Sequence, residues 1–265
     1  MTYIYAVIIL GGCGLIAAIL LTVAAKVFYV KTDERIEKIN EALPQANCGA
    51  CGYAGCNDYA SAIVNNGAGT NLCRPGGADS ANKIAEILGT SASDVIPMIA
   101  VVHCNGDCDA TSTEFDFTGI QSCKAAKRFY GGNGRCKFGC LGFGDCMSVC
   151  EKDAVSIKNG VAVIEVSLCA ACGQCVGACP NNLISIKPIS KKYDVLCSSK
   201  LSGKETKLSC KNGCIGCKIC EKKCPNNAIK VENFCASIDY EKCTNCGECM
   251  KACPVKVIHS CESEL

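Results

Sequence analysis

The sequence predicts an α+β fold in which one long apolar helix precedes a string of small cysteine-rich modules. Three observations lead there. Residues 3–30, YIYAVIILGGCGLIAAILLTVAAKVFYV, carry no charge except Lys26. Twenty-eight cysteines fall within 265 residues, many of them in triplets two residues apart. The stretch CKFGCLGFGDCMSVC (136–150) aligns without a gap on CKNGCIGCKICEKKC (210–224), so the modules are repeated.

Composition narrows the class. Hydrophobic residues make up 49% of the chain, but only 6% are aromatic and Trp is absent. Small interiors of that kind need metal–ligand bonds to supplement apolar burial. The cysteine density exceeds that of a secreted disulfide scaffold, but the chain is long and no cleavable signal is evident. Spacing of the cluster type points to a reducing compartment where thiolates stay free for iron. No glycine-rich phosphate loop follows a strand and no Ser/His/Asp arrangement is present, so flavin, nicotinamide and hydrolytic sites are not expected. His103 and His259 read as packing or surface residues. The net charge of +2 favours no class of partner.

The apolar run is long enough to cross a bilayer as one tilted helix. It is too long for a signal peptide and lacks a basic start. Lys26, Lys31, Arg35 and Lys38 follow it, which places the bulk of the chain on the cytoplasmic side of the cytoplasmic membrane. Gly11, Gly12, Gly14, Ala17 and Ala18 form a small-residue zone that a second helix could approach. Cys13, inside the run, reads as a small apolar residue.

Residues 31–47 read as a charged, then Pro-containing, connector. Cys48, Cys51 and Cys56 then form a Cys-x2-Cys-x4-Cys pattern, and Cys73 follows a short helix expected over 58–64. Gly49, Ala50, Gly52 and Gly55 let backbone amides crowd the sulfurs. Four such ligands suit one [4Fe-4S] cluster; zinc is the alternative, since four thiolates also satisfy it. Residues 74–100 contain no cysteine. They suggest an amphipathic helix over Ser80–Leu88 with Ile84, Ile87 and Leu88 on its buried edge, then a strand at Val101-Val102.

The last repeat is the most regular. CIGCKICEKKCPNNAIKVENFCASIDYEKCTNCGECMKACP (214–254) contains Cys-x2-Cys-x2-Cys-x3-Cys-Pro twice. In this bacterial-ferredoxin run three thiolates grip one cluster and the fourth reaches the other. Cys214, Cys217, Cys220 and Cys253 are therefore expected to hold one [4Fe-4S] cluster, and Cys243, Cys246, Cys249 and Cys224 its partner. Disulfides would not pack cysteines in triplets, and a tetrahedral zinc site leaves thiolates in surplus.

The earlier repeat departs from this pattern once. CAACGQCVGACP (169–180) matches CTNCGECMKACP (243–254), which assigns Cys169, Cys172, Cys175 and Cys150 to one cluster. Phe143 stands where the second repeat has Cys217, so the other cluster lacks its middle thiolate. Cys136 is the expected substitute, giving Cys136, Cys140, Cys146 and Cys179. That makes five clusters. Four of Cys104, Cys108, Cys123, Cys197 and Cys210 would hold a sixth if the two units pack side by side; otherwise they are buried free thiols. Cys235 and Cys261 have no spacing partner.

Ten lysines (187, 191, 192, 200, 204, 207, 211, 218, 222 and 223) crowd the 187–223 region. Such a stretch is either a solvated face or a docking surface for an acidic redox protein, where charge raises the encounter rate. Nucleic acid is a poor alternative, because the patch lacks aromatic stacking residues.

The N-terminal apolar helix, NCGACGYAGC with its later cysteine, and units containing GCLGFGDC and GCIGCKIC together resemble the B-subunit family of Rnf complexes over essentially the whole chain. The resemblance implies four domains: a transmembrane helix (1–30), a membrane-proximal four-cysteine [4Fe-4S] module and linker (31–100), and two ferredoxin-like 2[4Fe-4S] units (101–190 and 191–265). It also implies an electron-transfer subunit of an ion-translocating ferredoxin:NAD oxidoreductase. Such a protein takes electrons from reduced ferredoxin and passes them to integral-membrane subunits through the cluster at Cys48, Cys51, Cys56 and Cys73. A membrane-anchored polyferredoxin serving another redox complex is the alternative.

Overall fold

The computed structural model describes residues 2–27, 33–91 and 94–260. Helix α1 (Thr2–Val27) has 26 residues, about 39 Å at 1.5 Å per residue. Side chains of 2–10, 13, 25 and 27 lie outside the described residues, as does Cys261. Among the side chains that are described, no helix is long and apolar enough to cross a membrane.

The expected connector after residue 31 is in part a helix. Asp33 caps α2 (Glu34–Ala42) by accepting the Arg35 N–H at 2.9 Å. Its charges mask Ile36, Ile39 and Leu43, which recur at helical spacing and are buried against α3 (Cys56–Asn66) and α4 (Gly77–Leu88). Tyr59 on α3 ties the module together. Its hydroxyl donates to the Gly69 carbonyl at 2.6 Å and accepts the Leu72 N–H at 3.1 Å, which fixes the loop that delivers Cys73.

The first unit follows in order: β1 (Met98–Val102), α5 (Cys123–Lys127), α6 (Asp145–Ser148), β2 (Val155–Lys158), β3 (Val161–Ile164), α7 (Gln174–Ala178) and β4 (Ile184–Pro188). The second contains β5 (Tyr193–Val195), α8 (Gly203–Ser209), α9 (Ile219–Lys223), β6 (Ile229–Glu232), β7 (Cys235–Ile238), α10 (Glu248–Lys251) and β8 (Ile258–Ser260). In each unit the outer strands pair antiparallel, β1 with β4 and β5 with β8, around an inner hairpin. The hairpins share one register: Val155 faces Ile164 and Lys158 faces Val161, as Ile229 faces Ile238 and Glu232 faces Cys235. The repeat seen in the cysteines is a repeat of structure.

The passage between units is not a loose tether. β4 belongs to the first unit and β5 to the second, and a buried ion pair closes the turn between them. Lys187 on β4 and Asp194 on β5 are 1% and 0% exposed. The Asp194 carboxylate also accepts the Tyr240 hydroxyl at 2.5 Å, and the Lys187 ammonium donates to the Lys191 carbonyl at 2.7 Å. Further bonds join the units directly. Asn105 N–H donates to Leu196 O at 3.1 Å and Lys211 N–H to Ala110 O at 2.8 Å. The Asn212 side chain donates to Asn105 O at 2.8 Å, and the His103 ring bridges Val195 O (2.9 Å) and Ser185 Oγ (2.7 Å).

Removing one partner of a buried pair strands the other charge, which costs about 3–5 kcal/mol. Asp194→Ala is therefore expected to lower the apparent Tm of the iron-loaded protein sharply under anaerobic conditions. The double variant Lys187→Met/Asp194→Leu recovers most of the loss.

Candidate metal centres

Four short helices carry the third cysteine of each triplet: Cys146 on α6, Cys175 on α7, Cys220 on α9 and Cys249 on α10. Each is entered through a left-handed residue: Gly144 (φ 80°), Gly173 (80°), Lys218 (60°) and Gly247 (75°). Glycine takes this conformation without penalty. At Gly247 a side chain is also barred by space, because an added Cβ would lie 2.7 Å from the Tyr193 hydroxyl.

Those turns, with the residues around them, gather the thiols into groups of four. In the first module burial pushes the Cys73 thiol up, and the charges of Cys56, Cys48 and Cys51 add to the effect. Burial likewise pushes Cys175 up to about 11, reinforced by Cys169, Cys172 and Cys150. In the second unit Cys220 rises to about 11 by burial beside Cys214, Cys253 and Cys217. Burial also raises Cys249, next to Cys243, Cys224 and Cys246. These are the sets that the spacing predicts. Backbone amides point at several of the sulfurs: Ala100 N–H at Cys169 (3.5 Å), Leu183 N–H at Cys179 (3.4 Å) and Ala228 N–H at Cys224 (3.2 Å).

The group near Phe143 differs from the expected one. Cys140, Cys146 and Cys179 line a pocket with Cys123, and Cys136 is not part of that lining. Cys146 is pushed up to about 12 by burial, then by Cys140, Cys123 and Cys179. Asp145 positions Cys123: its carboxylate accepts the N–H groups of Cys123 (2.8 Å) and Lys124 (2.9 Å) and the Ser122 hydroxyl (2.9 Å). Desolvation works against ionisation there, but the Lys124, Cys123 and Ser122 donors hold the carboxyl below the usual carboxylate range. Phe143 meets Phe117 edge-on with ring centroids 5.7 Å apart, and Phe117 meets Phe129 at 5.6 Å. The loop that brings Cys123 therefore also packs on the ring that displaced a thiolate. Sequence reasoning had one usable signal: the extra residues between VVHC and CKFGC, relative to those between DVLC and CKNGC, include both Cys123 and Phe117.

Cys136 faces the second unit instead. With Cys104, Cys197 and Cys210 it lines a pocket between the units. Cys108 is exposed and absent from that lining, and a Cβ at Gly160 would approach its sulfur to 2.8 Å. Cys235 is less incidental than its spacing suggests. Its thiol donates to the Cys197 carbonyl at 3.1 Å. Its closeness holds the Cys197 and Cys214 thiols below the usual thiol range, while Cys235 itself is pushed up. Among the described residues, no three His, Cys, Asp or Glu side chains converge closely enough to hold a single metal ion.

The groups adjoin one another. Cys48 of the first module acts on Cys172, and Pro44, Ala46 and Pro75 help line the pocket of Cys150, Cys169, Cys172 and Cys175. The Cys140 N–H donates to Cys104 Sγ at 3.3 Å, and the Cys214 N–H to Cys197 Sγ at 3.3 Å. The lysine patch is smaller than its sequence count. Lys187 is buried in its ion pair, and half-buried Lys191 donates to the Cys243 carbonyl at 2.6 Å. Lys192, Lys200, Lys204, Lys207, Lys211, Lys218, Lys222 and Lys223 are exposed.

Comparison with known proteins follows the same layout. A family model for an Fe-S cluster (FeS) matches residues 43–75, and the 4Fe-4S binding domain matches 162–185, 211–230 and 236–259. The chain is 42% identical over 251 residues to the B subunit of the Na+-translocating ferredoxin:NAD+ oxidoreductase complex of Acetobacterium woodii, covering 94% of this chain and 75% of the relative. It is 41% identical over 256 residues to the B subunit of the ion-translocating oxidoreductase complex of Methanosarcina acetivorans, covering 96% and 97%. The B subunit of the proton-translocating ferredoxin:NAD+ oxidoreductase complex of Clostridium ljungdahlii is 38% identical over 261 residues, covering 97% and 92%.

Hydrogen bonds to a charged group contribute about 1.5–3 kcal/mol each. Asp145→Ala is expected to destabilise the iron-loaded protein by at least that much in thermal melts. Asp145→Asn, which keeps an acceptor oxygen, recovers part of the loss.

Proposed function

Because the chain belongs to the B-subunit family of ion-translocating ferredoxin:NAD+ oxidoreductase (Rnf-type) complexes, we propose that its thiol groups form an electron path from a docking face on the second unit to the membrane. The protein is an electron-transfer subunit of an oxidoreductase complex that binds 4Fe-4S centres. When bound, such a cluster supplies one-electron exchange at a potential set by charge, hydrogen bonds to sulfur and exposure. The observation that carries the reading is the continuity of thiol groups, from Cys224, Cys243, Cys246 and Cys249 back to Cys48 beside Cys172. The residues set the conditions. Amides at Ala100, Leu183 and Ala228 aim at sulfur, and Cys73, Cys146, Cys175, Cys214 and Cys220 are buried from water.

Cys217 and Cys246 are exposed, so the second unit offers its groups to a partner. Lys218 adjoins Cys217, and Lys222 and Lys223 follow on α9. We place the acidic ferredoxin there. At the other end, α1 anchors the chain to the cytoplasmic membrane as a single pass, with the remainder on the cytoplasmic side. Support comes from its 26-residue length and from Leu15, Ile16, Ile19, Leu20, Leu21 and Val23, all exposed on its surface. Lys26 is the one charged residue in α1, so an ion path belongs to the integral-membrane partner subunits.

Two experiments test this. The chain expressed from residue 33 onward is expected in the soluble fraction, whereas the full chain sediments with membranes; membrane retention of the shorter chain removes the anchor from the scheme. Reversing Lys218, Lys222 and Lys223 to Glu is expected to slow reduction by ferredoxin about tenfold or more at low ionic strength, with the difference fading as salt screens it. A rate unchanged at low salt moves the docking face elsewhere.

A further inference from the structure

Building on the cluster-binding reading above, we infer that Cys104, Cys136, Cys197 and Cys210 hold a [4Fe-4S] cluster at the junction of the two units, and that Cys123 completes the neighbouring site with Cys140, Cys146 and Cys179.

The junction site is formed by two copies of one motif. Cys104 ends the VVHC stretch after β1, and Cys197 ends the equivalent DVLC stretch after β5. Cys136 and Cys210 open the two gap-free repeats, CKFGC and CKNGC. Each unit thus contributes the same pair of thiols, and the pairs face each other across one pocket. The hydrogen bonding repeats as well: the Cys140 N–H donates to Cys104 Sγ and the Cys214 N–H to Cys197 Sγ, both at 3.3 Å.

The lining leaves room for an inorganic core where side chains would fill it. A Cβ on Gly106 would lie 3.3 Å from the Cys210 sulfur and 3.7 Å from the Cys104 sulfur. A Cβ on Gly139 would lie 3.5 Å from the Cys136 sulfur. Burial pushes Cys104 up to about 12 and also raises Cys136 and Cys210. The bonds joining the units surround this pocket: Asn105 to Leu196, Asn212 to Asn105, and the Thr111 hydroxyl to Ser209 O at 2.7 Å.

The exchange of Cys123 for Cys136 makes this arithmetic close. With Phe143 in place of a thiolate, the site of Cys140, Cys146 and Cys179 needs a fourth ligand, and the junction needs Cys136. Cys123, held on Asp145, satisfies the first need and releases Cys136 for the second.

Iron and acid-labile sulfide are counted per full-length chain purified without oxygen, alongside EPR of the reduced protein. Four irons per cubane give about twenty-four in the wild type, and about twenty in Cys210→Ala or Cys123→Ala. The double variant Cys136→Ala/Cys210→Ala, which strikes one site twice, is expected to retain about twenty. Cys123→Ala/Cys210→Ala, which strikes two sites, is expected to retain about sixteen. Each single loss removes one component of the EPR spectrum. A wild-type count of about twenty overturns the junction cluster without reference to any variant. An undiminished count in Cys123→Ala, with loss in Cys136→Ala, returns Cys136 to the site of Cys140. Zinc in place of iron overturns the electron-transfer reading as a whole, a result distinct from either.

Discussion

Holding four sulfurs around one small inorganic core is the constraint from which the rest of this chain follows. Thiols must be brought close at fixed positions in a protein with no Trp and few large aromatics. The solution is backbone turns instead of side-chain bulk. A left-handed residue enters each of α6, α7, α9 and α10, and the next turn presents a cysteine. The hydrophobic clusters then form around sulfur. Cys146 and Cys175 are core residues beside Leu183 and Ile184, as Cys214 and Cys220 are beside Val257 and Ile258. Metal ligation and folding are one process in such a core, so the burial that raises the free thiols is also the burial that shields the bound centres.

A second consequence is rigidity between units. If two small domains are to pass electrons, the groups at their boundary must keep their separation. The boundary carries the buried Lys187–Asp194 pair, the Tyr240 hydroxyl and several backbone hydrogen bonds, which tie β4, β5 and the loop after β1 to the segments after α8 and β7. Burying an ion pair is a poor route to stability, since desolvation offsets much of the attraction. Its value here lies in specifying one arrangement of the two units, because a slipped arrangement would leave both charges buried without partners.

Most of the fold was legible in the sequence because cysteine spacing is a direct record of turn geometry. The regular runs and the alignment of 136–150 on 210–224 led to the repeat, and the structure repeats the inner hairpin in the same register. The helices expected over 58–64 and 80–88 are present as Cys56–Asn66 and Gly77–Leu88. What was not legible depended on distance in sequence. Cys123 belongs to no spacing motif, and it meets Cys140 only because Asp145 draws α5 across. Cys136 looked like the substitute because it lies close along the chain, yet its position in the fold faces the other unit. Helix α2 was hidden by its charges, since Ile36, Ile39 and Leu43 show their pattern only when Glu and Lys are read as the solvent side. Lys187 looked like surface charge because nothing near it in sequence announces the packing of Tyr240 over it.

Hydrogen bonding to sulfur differs between the duplicated units. Bonds from N–H or S–H groups stabilise extra negative charge on a cluster and raise its potential. Cys197 is unusual in this respect. Its sulfur accepts the Cys214 N–H (3.3 Å) and the Ser199 N–H (3.4 Å), while the Cys235 thiol donates to its carbonyl at 3.1 Å. No equivalent thiol stands over Cys104, because the first hairpin has Val161 where the second has Cys235. The duplicated units therefore offer the same ligand geometry with different donors. The asymmetry falls between the junction pocket and the second unit's site, the side nearer the exposed lysines. A repeat can thus supply matching ligand positions, and a single side chain that breaks the repeat can change the hydrogen bonding around one of them.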